Sequence, residues 1–306
     1  MTLVRSRTSI PIHVVHFFED SPSNVVGMQF LVMDYVEGVN LYRIWDDLTL
    51  EYKKDVLTQI AWVLGQLANK EFKAIGSITD DGSVGPLLRR LMENVDGEEV
   101  IKYVSDGPFG STSDYLYLFI DRFWSSSRIS EENRIRLHKV RDVLANYFAL
   151  HDNEPYLRLP FRLWHADFDG QNFLFTDPKH SDSTSPPRLI GGIDWDHAHT
   201  APLYFLYEYP IFIQDNDRAK HLYKENAILR PHFARAIRKQ FPRISARYLE
   251  ARACIPSGRR STLNIFKDIF MNRWGNEMIL ISSIMWQKKK QGSERHTVVG
   301  SIGFLM

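Results

Sequence analysis

The alternation of apolar and polar residues near the start of the chain predicts two β-strands. Residues 10–18, IPIHVVHFF, alternate and are rich in β-branched and aromatic side chains, and residues 28–36, MQFLVMDYV, form a second apolar run. Turn-forming residues at 21–27 separate the two runs. We therefore expect an antiparallel pair of strands joined by a loop.

After Thr49 the apolar spacing becomes that of helices. Apolar residues recur three and four positions apart in a first predicted helix, at Val56, Ile60, Val63, Leu64 and Leu67. The same spacing predicts a short helix over 115–124 and a longer one over 130–151, with Ser130 as its N-cap. The expected buried stripe of the longer helix comprises Ile135, Val140, Val143, Leu144, Tyr147 and Phe148.

Short strands and further helices follow these elements. Residues 76–113 are rich in Gly, Asp and Ser, which favours loop with short helical pieces. Short apolar runs predict strands at 161–166, 173–175 and 188–195, with an exposed loop at 176–187. The pattern over 215–290 is mainly helical, and 291–306 has no clear period and predicts a loose tail. Because strands and helices are segregated along the chain, the pattern predicts an α+β fold.

Composition excludes several classes of protein. The 306 residues carry a formal net charge of +1, so no strong field would attract nucleic acid or anionic lipid. The basic runs at 259–260 and 288–290 are short and typical of a solvated helix face. With one cysteine, no apolar leader and no apolar stretch longer than 201–213, we expect a cytoplasmic protein without disulfides or membrane spans. The oligomeric state is not indicated.

Two polar clusters carry the candidate chemistry. Residues 165–175 read HADFDGQNFLF, and residues 191–199 read GGIDWDHAH. Asp167 and Asn172 lie five apart on a predicted turn between short strands, and His165 begins that turn. Asp194 ends the third strand, so a hairpin would bring Asn172 and Asp194 close together.

These residue types suit transfer of a phosphoryl group. A carboxylate and an amide oxygen form a hard-oxygen pair of the kind that Mg²⁺ prefers, with phosphate oxygens and waters completing its coordination. A further carboxylate at Asp167, beside that pair, could accept the proton of an attacking hydroxyl. Asn172 and Asp194 are therefore the candidate metal ligands.

The spacing H-x-D-x-x-x-x-N, followed by an apolar strand that ends in Asp, resembles the catalytic loop and metal aspartate of the protein-kinase-like fold. In the form WHADFDGQNFLF with GGIDWDHAHTAP, it resembles the aminoglycoside phosphotransferase-like family, including its fungal members. The family loop usually reads His-Gly-Asp, and Ala166 replaces that glycine here. FLVMDYVEGVNL further resembles the hinge that pairs with adenine.

The resemblance implies roles for individual residues. Asp167 would be the catalytic base or hydroxyl orienter, and His165 would support the loop. Asn172 and Asp194 would hold Mg²⁺, while backbone groups around Asp34 and Tyr35 would meet the adenine of ATP. The implied reaction is transfer of the ATP γ-phosphoryl to a hydroxyl of a small molecule, whose identity the sequence does not reveal.

The resemblance also predicts the domain organisation. Residues 1–38 would be a remnant of the N-terminal lobe with the hinge, 39–290 the C-terminal lobe, and 291–306 the tail. A glycine-rich phosphate loop and an ATP-positioning lysine are expected before the hinge in this family, yet no lysine precedes Lys53. We therefore expect weak ATP binding and slow or absent transfer from this chain.

Two alternatives remain open from the sequence. A metal-dependent phosphohydrolase could use His165, Asp167, Asp194, His197 and His199 around two metals, but this leaves Asn172 and the hinge-like segment unexplained. A non-catalytic binding protein on the same fold is the other alternative. Bound nucleotide and metal preference would distinguish them.

Overall fold

A computed structural model describes residues 1–242 apart from 22, 96–97, 126–130, 152, 179–184, 197, 207 and 216–218. The predicted N-cap Ser130, the candidate ligand His197, the helical pattern beyond 242 and the tail at 291–306 lie outside the described residues.

The chain begins with a short helix and a two-stranded ribbon. Helix α1 spans Thr2–Arg7, and strands β1, Val15–Glu19, and β2, Phe30–Met33, pair antiparallel. The predicted strand pair is thus confirmed, although each strand is shorter than its apolar run. Both faces of the ribbon carry solvent-exposed apolar side chains, and Phe17 and Phe18, on opposite faces, are 51% and 65% exposed.

Strand β3, Val39–Asn40, and the one-turn helix α2, Leu41–Ile44, lead into the long helix α3, Leu50–Ala68. Thr49 caps α3, because its hydroxyl accepts a hydrogen bond from the Tyr52 N–H at 3.3 Å. All five apolar residues of the predicted stripe are buried: Val56, Ile60, Val63, Leu64 and Leu67. They belong to the hydrophobic core of the described residues.

A β-hairpin with two nine-residue strands follows the short strand β4, Glu71–Phe72. Strands β5, Leu87–Val95, and β6, Glu98–Asp106, pair in continuous antiparallel register. The prediction of loop with short helical pieces over 76–113 was therefore wrong for these residues. The polar composition obscured an Asp-Gly pair at 96–97 between two runs with β-branched residues, which is a strong sequence indicator of a hairpin.

Two helices come next, as predicted. Helix α4 spans Thr112–Ser125 and helix α5 spans Glu131–His151. In α5, Val140, Leu144 and Phe148 are buried as expected. Ile135 is 51% exposed, and the buried residue of that turn is Leu137. The prediction of the buried stripe of α5 was therefore wrong at its first position, Ile135.

Two small antiparallel sheets follow and contain the strands that flank the polar clusters. Their strands are β7, Phe161–Trp164, β8, Phe173–Phe175, β9, Leu189–Gly192, and β10, His199–Ala201. One sheet has the order β10-β7-β4 and the other has the order β3-β8-β9. The expected β8–β9 hairpin is confirmed, while β7 lies in the other sheet, so the loop between β7 and β8 crosses from one sheet to the next.

The last described helix, α6, spans Tyr223–Gln240 and packs along α3. The Lys53 ammonium, which is buried, donates to the Glu225 carboxylate at 2.7 Å and joins the two helices. Antiparallel sheets with separate helices make a mixed α+β fold, as predicted. None of the helices in the described ranges has the length and apolar composition that crossing a bilayer requires.

Candidate active site

The loop between β7 and β8 folds tightly through a single 3-10 turn, Gly170–Asn172. Asp169 caps this turn: its carboxylate accepts from the Gly170 N–H at 2.5 Å and from the Gln171 side-chain amide at 3.0 Å. The backbone closes further, since the Asn172 N–H donates to the Asp169 carbonyl at 3.0 Å. The hydrogen bonds of the Asp169 side chain therefore stabilise the conformation of the loop.

His165 connects this loop to the segment after β9. Its imidazole is buried, with Nε2 3.0 Å from the Ile193 carbonyl and Nδ1 accepting from the Asp167 N–H at 3.3 Å. A neutral ring protonated at Nε2 satisfies both contacts. The ring also packs edge-on against Trp195 at 4.5 Å between centroids. Through these contacts His165 supports the conformation of the loop.

Asp167 and Asn172 are joined through the Asn172 amide. Its Nδ2 donates to the Asp167 carbonyl at 2.9 Å and to the Asp167 carboxylate at 3.0 Å. Because a carboxylate only accepts hydrogen bonds, this network assigns the amide nitrogen to the Asp167 side. The amide oxygen, Oδ1, is consequently turned away from Asp167.

Asp194 lies at the end of the β8–β9 hairpin, next to Asn172. Phe173 pairs with Gly192, and the Ile193 N–H donates to the Asn172 carbonyl at 3.0 Å. Asp194 follows directly, with an exposed side chain and a φ of 55°. Non-glycine residues rarely occupy this left-handed region, and such strain is common at functional sites. The hairpin thus brings the two candidate metal ligands to one end of the same sheet.

The predicted hinge follows β2 and enters the same sheet through β3. The Asp34 carboxylate accepts from the Val14 N–H at 3.0 Å and lies 2.6 Å from His16 Nε2. The His16 hydrogen bond, with that of Val14, holds the pKa of Asp34 below its ordinary value. The Asp34 N–H donates to the Val14 carbonyl, so it is engaged within the ribbon. Tyr35 is 91% exposed, and its backbone lies beyond the paired strands.

The arrangement expected for a two-metal hydrolase is not found in the part of the chain that the structure describes. There, no three His, Cys, Asp or Glu side chains lie close enough together to hold a metal ion. The contacts of His165 occupy both of its ring nitrogens. His199 is buried, with Nε2 3.0 Å from the Tyr115 hydroxyl. His165 therefore has no ring nitrogen left for a metal, and Nε2 of His199 is already paired with the Tyr115 hydroxyl.

Asn40 is a site residue that the sequence did not reveal. Its side-chain Nδ2 donates to the Gln171 carbonyl at 2.6 Å, across 131 positions of the chain. The one available indication was its position at the end of the hinge-like segment EGVN, just before a helix.

Comparison with solved structures identifies the fold. The chain matches a crystal structure described as an aminoglycoside phosphotransferase of Ralstonia eutropha at a TM-score of 0.54 and 12% identity, over 95% of this chain and 73% of that one. It matches ADP-bound aminoglycoside phosphotransferase APH(2'')-Ib at a TM-score of 0.50 and 14% identity, over 92% and 78% of the two chains.

Sequence comparison gives a shorter match. Two Aspergillus fumigatus proteins, each named a subtelomeric hrmA-associated cluster protein, are 28% identical over 122 residues. The match covers 35% of this chain and 24% of the length of those relatives. No family model matches the chain. The structural likeness therefore shows the fold, which is the protein-kinase-like fold of the aminoglycoside phosphotransferases.

Proposed function

We propose that this site transfers the γ-phosphoryl group of ATP to a hydroxyl of a small molecule. The observation that carries the proposal is the single network formed by Asp167, Asn172 and the end of β9. In this network Asn172 donates to the Asp167 carboxylate, and Asp194 directly follows Ile193, whose N–H donates to the Asn172 carbonyl. Phosphoryl transfer needs positioning, neutralisation of charge and a group that orients the nucleophile, and these three side chains can supply them.

Asn172 and Asp194 would hold Mg²⁺. An amide oxygen and one carboxylate fit this ion, which binds few protein ligands when phosphates and waters complete its octahedron. The fit is supported by the Asn172 amide, whose nitrogen is bonded to Asp167 and whose oxygen is thereby left for a cation. When bound there, Mg²⁺ would supply the positive charge that offsets the negative charge of the nucleotide phosphates.

Asp167 would orient the acceptor hydroxyl and accept its proton. Its backbone N–H is fixed by His165, and its carboxylate is fixed by the Asn172 amide. A residue held at its backbone and at one carboxylate oxygen loses little further freedom when substrate binds, which is the basis of catalysis by positioning. His165 would act only through this contact, as a positioning residue.

The nucleotide base would lie against the backbone at Asp34 and Tyr35. Because the Asp34 N–H is bonded to Val14, the groups proposed to face the base are the Asp34 carbonyl and the Tyr35 N–H. Nucleotide binding is supported by the ADP-bound state of APH(2'')-Ib, which has the same fold. The acceptor belongs to the broad class of hydroxyl-bearing small molecules.

Calorimetry on the 306-residue chain would test this function. We expect ATP to bind with Mg²⁺ and to bind much more weakly with EDTA. Asp194→Ala should remove the Mg²⁺ dependence, while Asp196→Ala, an exposed aspartate two residues on, should retain it. A screen of acceptors would follow, in which Asp167→Ala should abolish transfer while the circular dichroism spectrum stays unchanged. Equal turnover by parent and Asp167→Ala would refute the assignment.

A non-catalytic nucleotide-binding protein is the second candidate. It is favoured by the contacts of Lys53, whose buried ammonium donates to the Glu225 carboxylate at 2.7 Å and lies 5.6 Å from the Trp45 ring centroid. The Lys53 ammonium is therefore engaged in the contact that joins α3 to α6. A lysine held in this way does not reach the phosphates of a nucleotide, as the ATP-positioning lysine of kinases does. Mg²⁺-dependent binding of ATP without turnover on any acceptor would support this candidate.

A further inference from the structure

The short segment that follows the predicted hinge is pressed against the site. Gly38 approaches β8 and β9 so closely that a Cβ would lie 2.9 Å from the Phe175 carbonyl and 2.5 Å from Ile190 Cδ1. Val39 and Asn40 then pair with Phe175 and Leu174 as β3. The segment that would meet the nucleotide base is thus joined directly to the strand that leaves the catalytic loop.

The Asn40 side chain is used in an unusual way. Asn40 is the N-cap residue of α2, a position where asparagine ordinarily accepts a hydrogen bond from the first turn of the helix. Here it makes no such bond. Its amide instead donates to the Gln171 carbonyl at 2.6 Å.

That carbonyl belongs to the peptide group whose nitrogen is the N–H of Asn172. Fixing the carbonyl fixes the plane of this peptide, since peptide groups are rigid. The same N–H donates to the Asp169 carbonyl at 3.0 Å, so the peptide before Asn172 is held on both sides. The direction in which the Asn172 side chain leaves the backbone therefore depends on Asn40.

We propose that Asn40 is a positioning residue, which orients Asn172 for cation binding and couples the hinge segment to the catalytic loop. The coupling to cation binding rests on the proposed function of the site. The positioning of the loop is a property of the protein without ligand, so the two can be tested separately.

Hydrogen exchange of the ligand-free protein would test the positioning. Asn40→Ala should speed exchange of the Asn172 and Ile193 amides by up to about tenfold, as expected for loss of one net hydrogen bond. Asn24→Ala is the matched control, because the Asn24 amide also donates to backbone carbonyls, those of Ser21 and Met28, in the ribbon loop. The control should leave exchange at 172 and 193 unchanged. An Asn40→Ala protein with parental exchange at both amides would overturn the proposal.

Calorimetry with Mg²⁺ and ATP would test the coupling. Asn40→Asp keeps the size of the side chain but removes the donor, so it should weaken Mg²⁺-dependent binding by about tenfold or more, at least as much as Asn40→Ala. If Asn40 instead contacted a hydroxyl of the nucleotide, a carboxylate would accept that bond, and Asn40→Asp would retain parental affinity. That result would overturn the coupling. Absence of Mg²⁺-dependent binding in the parent would refute the proposed function, while the exchange experiment would still decide the positioning.

Discussion

The left-handed backbone at Asp194 predicts that one substitution raises stability while it removes function. This conformation costs an L-residue about 1–2 kcal/mol, and a short polar side chain lies toward the lower end of that range. Asp194 has a φ of 55°. Glycine adopts the conformation without this cost, so Asp194→Gly should relieve the strain.

The gain is reduced by the unfolded state. Glycine gives the unfolded chain extra backbone freedom, which costs the folded protein about 0.4–1 kcal/mol. The difference leaves Asp194→Gly more stable than the parent by up to about 1 kcal/mol, or roughly 2 °C in Tm for a chain of this size. The variant also lacks the carboxylate that we propose as a Mg²⁺ ligand, so Mg²⁺-dependent binding of ATP should be lost.

Urea denaturation and calorimetry on the same preparations would measure both effects. Asp196→Gly is the matched control, since Asp196 is exposed and its φ is not in the left-handed region. It should lower the free energy of unfolding by about 0.4–1 kcal/mol and leave ATP binding unchanged. If Asp194→Gly destabilises the protein as much as the control does, the strain argument is wrong. If it still binds ATP in a Mg²⁺-dependent manner, the ligand assignment is wrong.

Three further perturbations test the packing and the response to pH. Ile60→Ala, at a fully buried position of α3, should lower the free energy of unfolding by about 2–5 kcal/mol in urea denaturation. Glu225→Ala leaves the buried Lys53 ammonium without its carboxylate and should lower the free energy of unfolding by about 2 kcal/mol or more in the same assay. Lys53→Met removes the charge together with its partner's role and should lower it less. Equal losses in the two variants would contradict this account of the ion pair. The lowered pKa of Asp34 contributes stability that is fully present above its ordinary value of 3.8 and is lost as the pH falls through the lower, folded value. His16→Ala should therefore raise the Asp34 pKa, as followed by NMR titration of its carboxyl carbon, and an unchanged pKa would exclude the His16 hydrogen bond as the main cause.

The parts of the fold that the sequence predicts are those with a local period. Helix α3 has apolar residues at helical spacing from Val56 to Leu67, and every predicted core position in it is buried. The strand pair of the ribbon alternates over enough residues to be recognised, although pairing ends before the apolar runs do. The loop between β7 and β8, which carries the candidate site, is likewise local, since Asp167 and Asn172 bond to each other across five positions.

The parts that the sequence did not predict depend on distant contacts or on composition that conceals a pattern. Strands of two or three residues, such as β3 and β10, have no period to detect and exist because β8 and β7 lie beside them. The β5–β6 hairpin is indicated by the Asp-Gly pair at 96–97, but the Gly, Asp and Ser content of 76–113 led to a prediction of loop. Asn40 contacts its partner across 131 positions, which no local pattern encodes.

The polar side chains of the candidate site differ in whether they bond within the protein or face solvent. This difference supports the proposed function of the site independently of the resemblance to known phosphotransferases. The Asp169 carboxylate accepts a hydrogen bond from the loop backbone, and both ring nitrogens of His165 bond to backbone groups of two segments. Their removal should loosen the loop without removing a group that meets a ligand. Asp194 is different, because an exposed carboxylate on a strained backbone contributes nothing evident to folding. A costly conformation persists where the surrounding structure enforces it, and here the β8–β9 hairpin and the His165 contact to Ile193 do so. The folded structure does not require the Asp194 carboxylate, so we infer that its role is to bind a ligand. Substitution of Asp194 should therefore weaken ligand binding while it raises the stability of the protein.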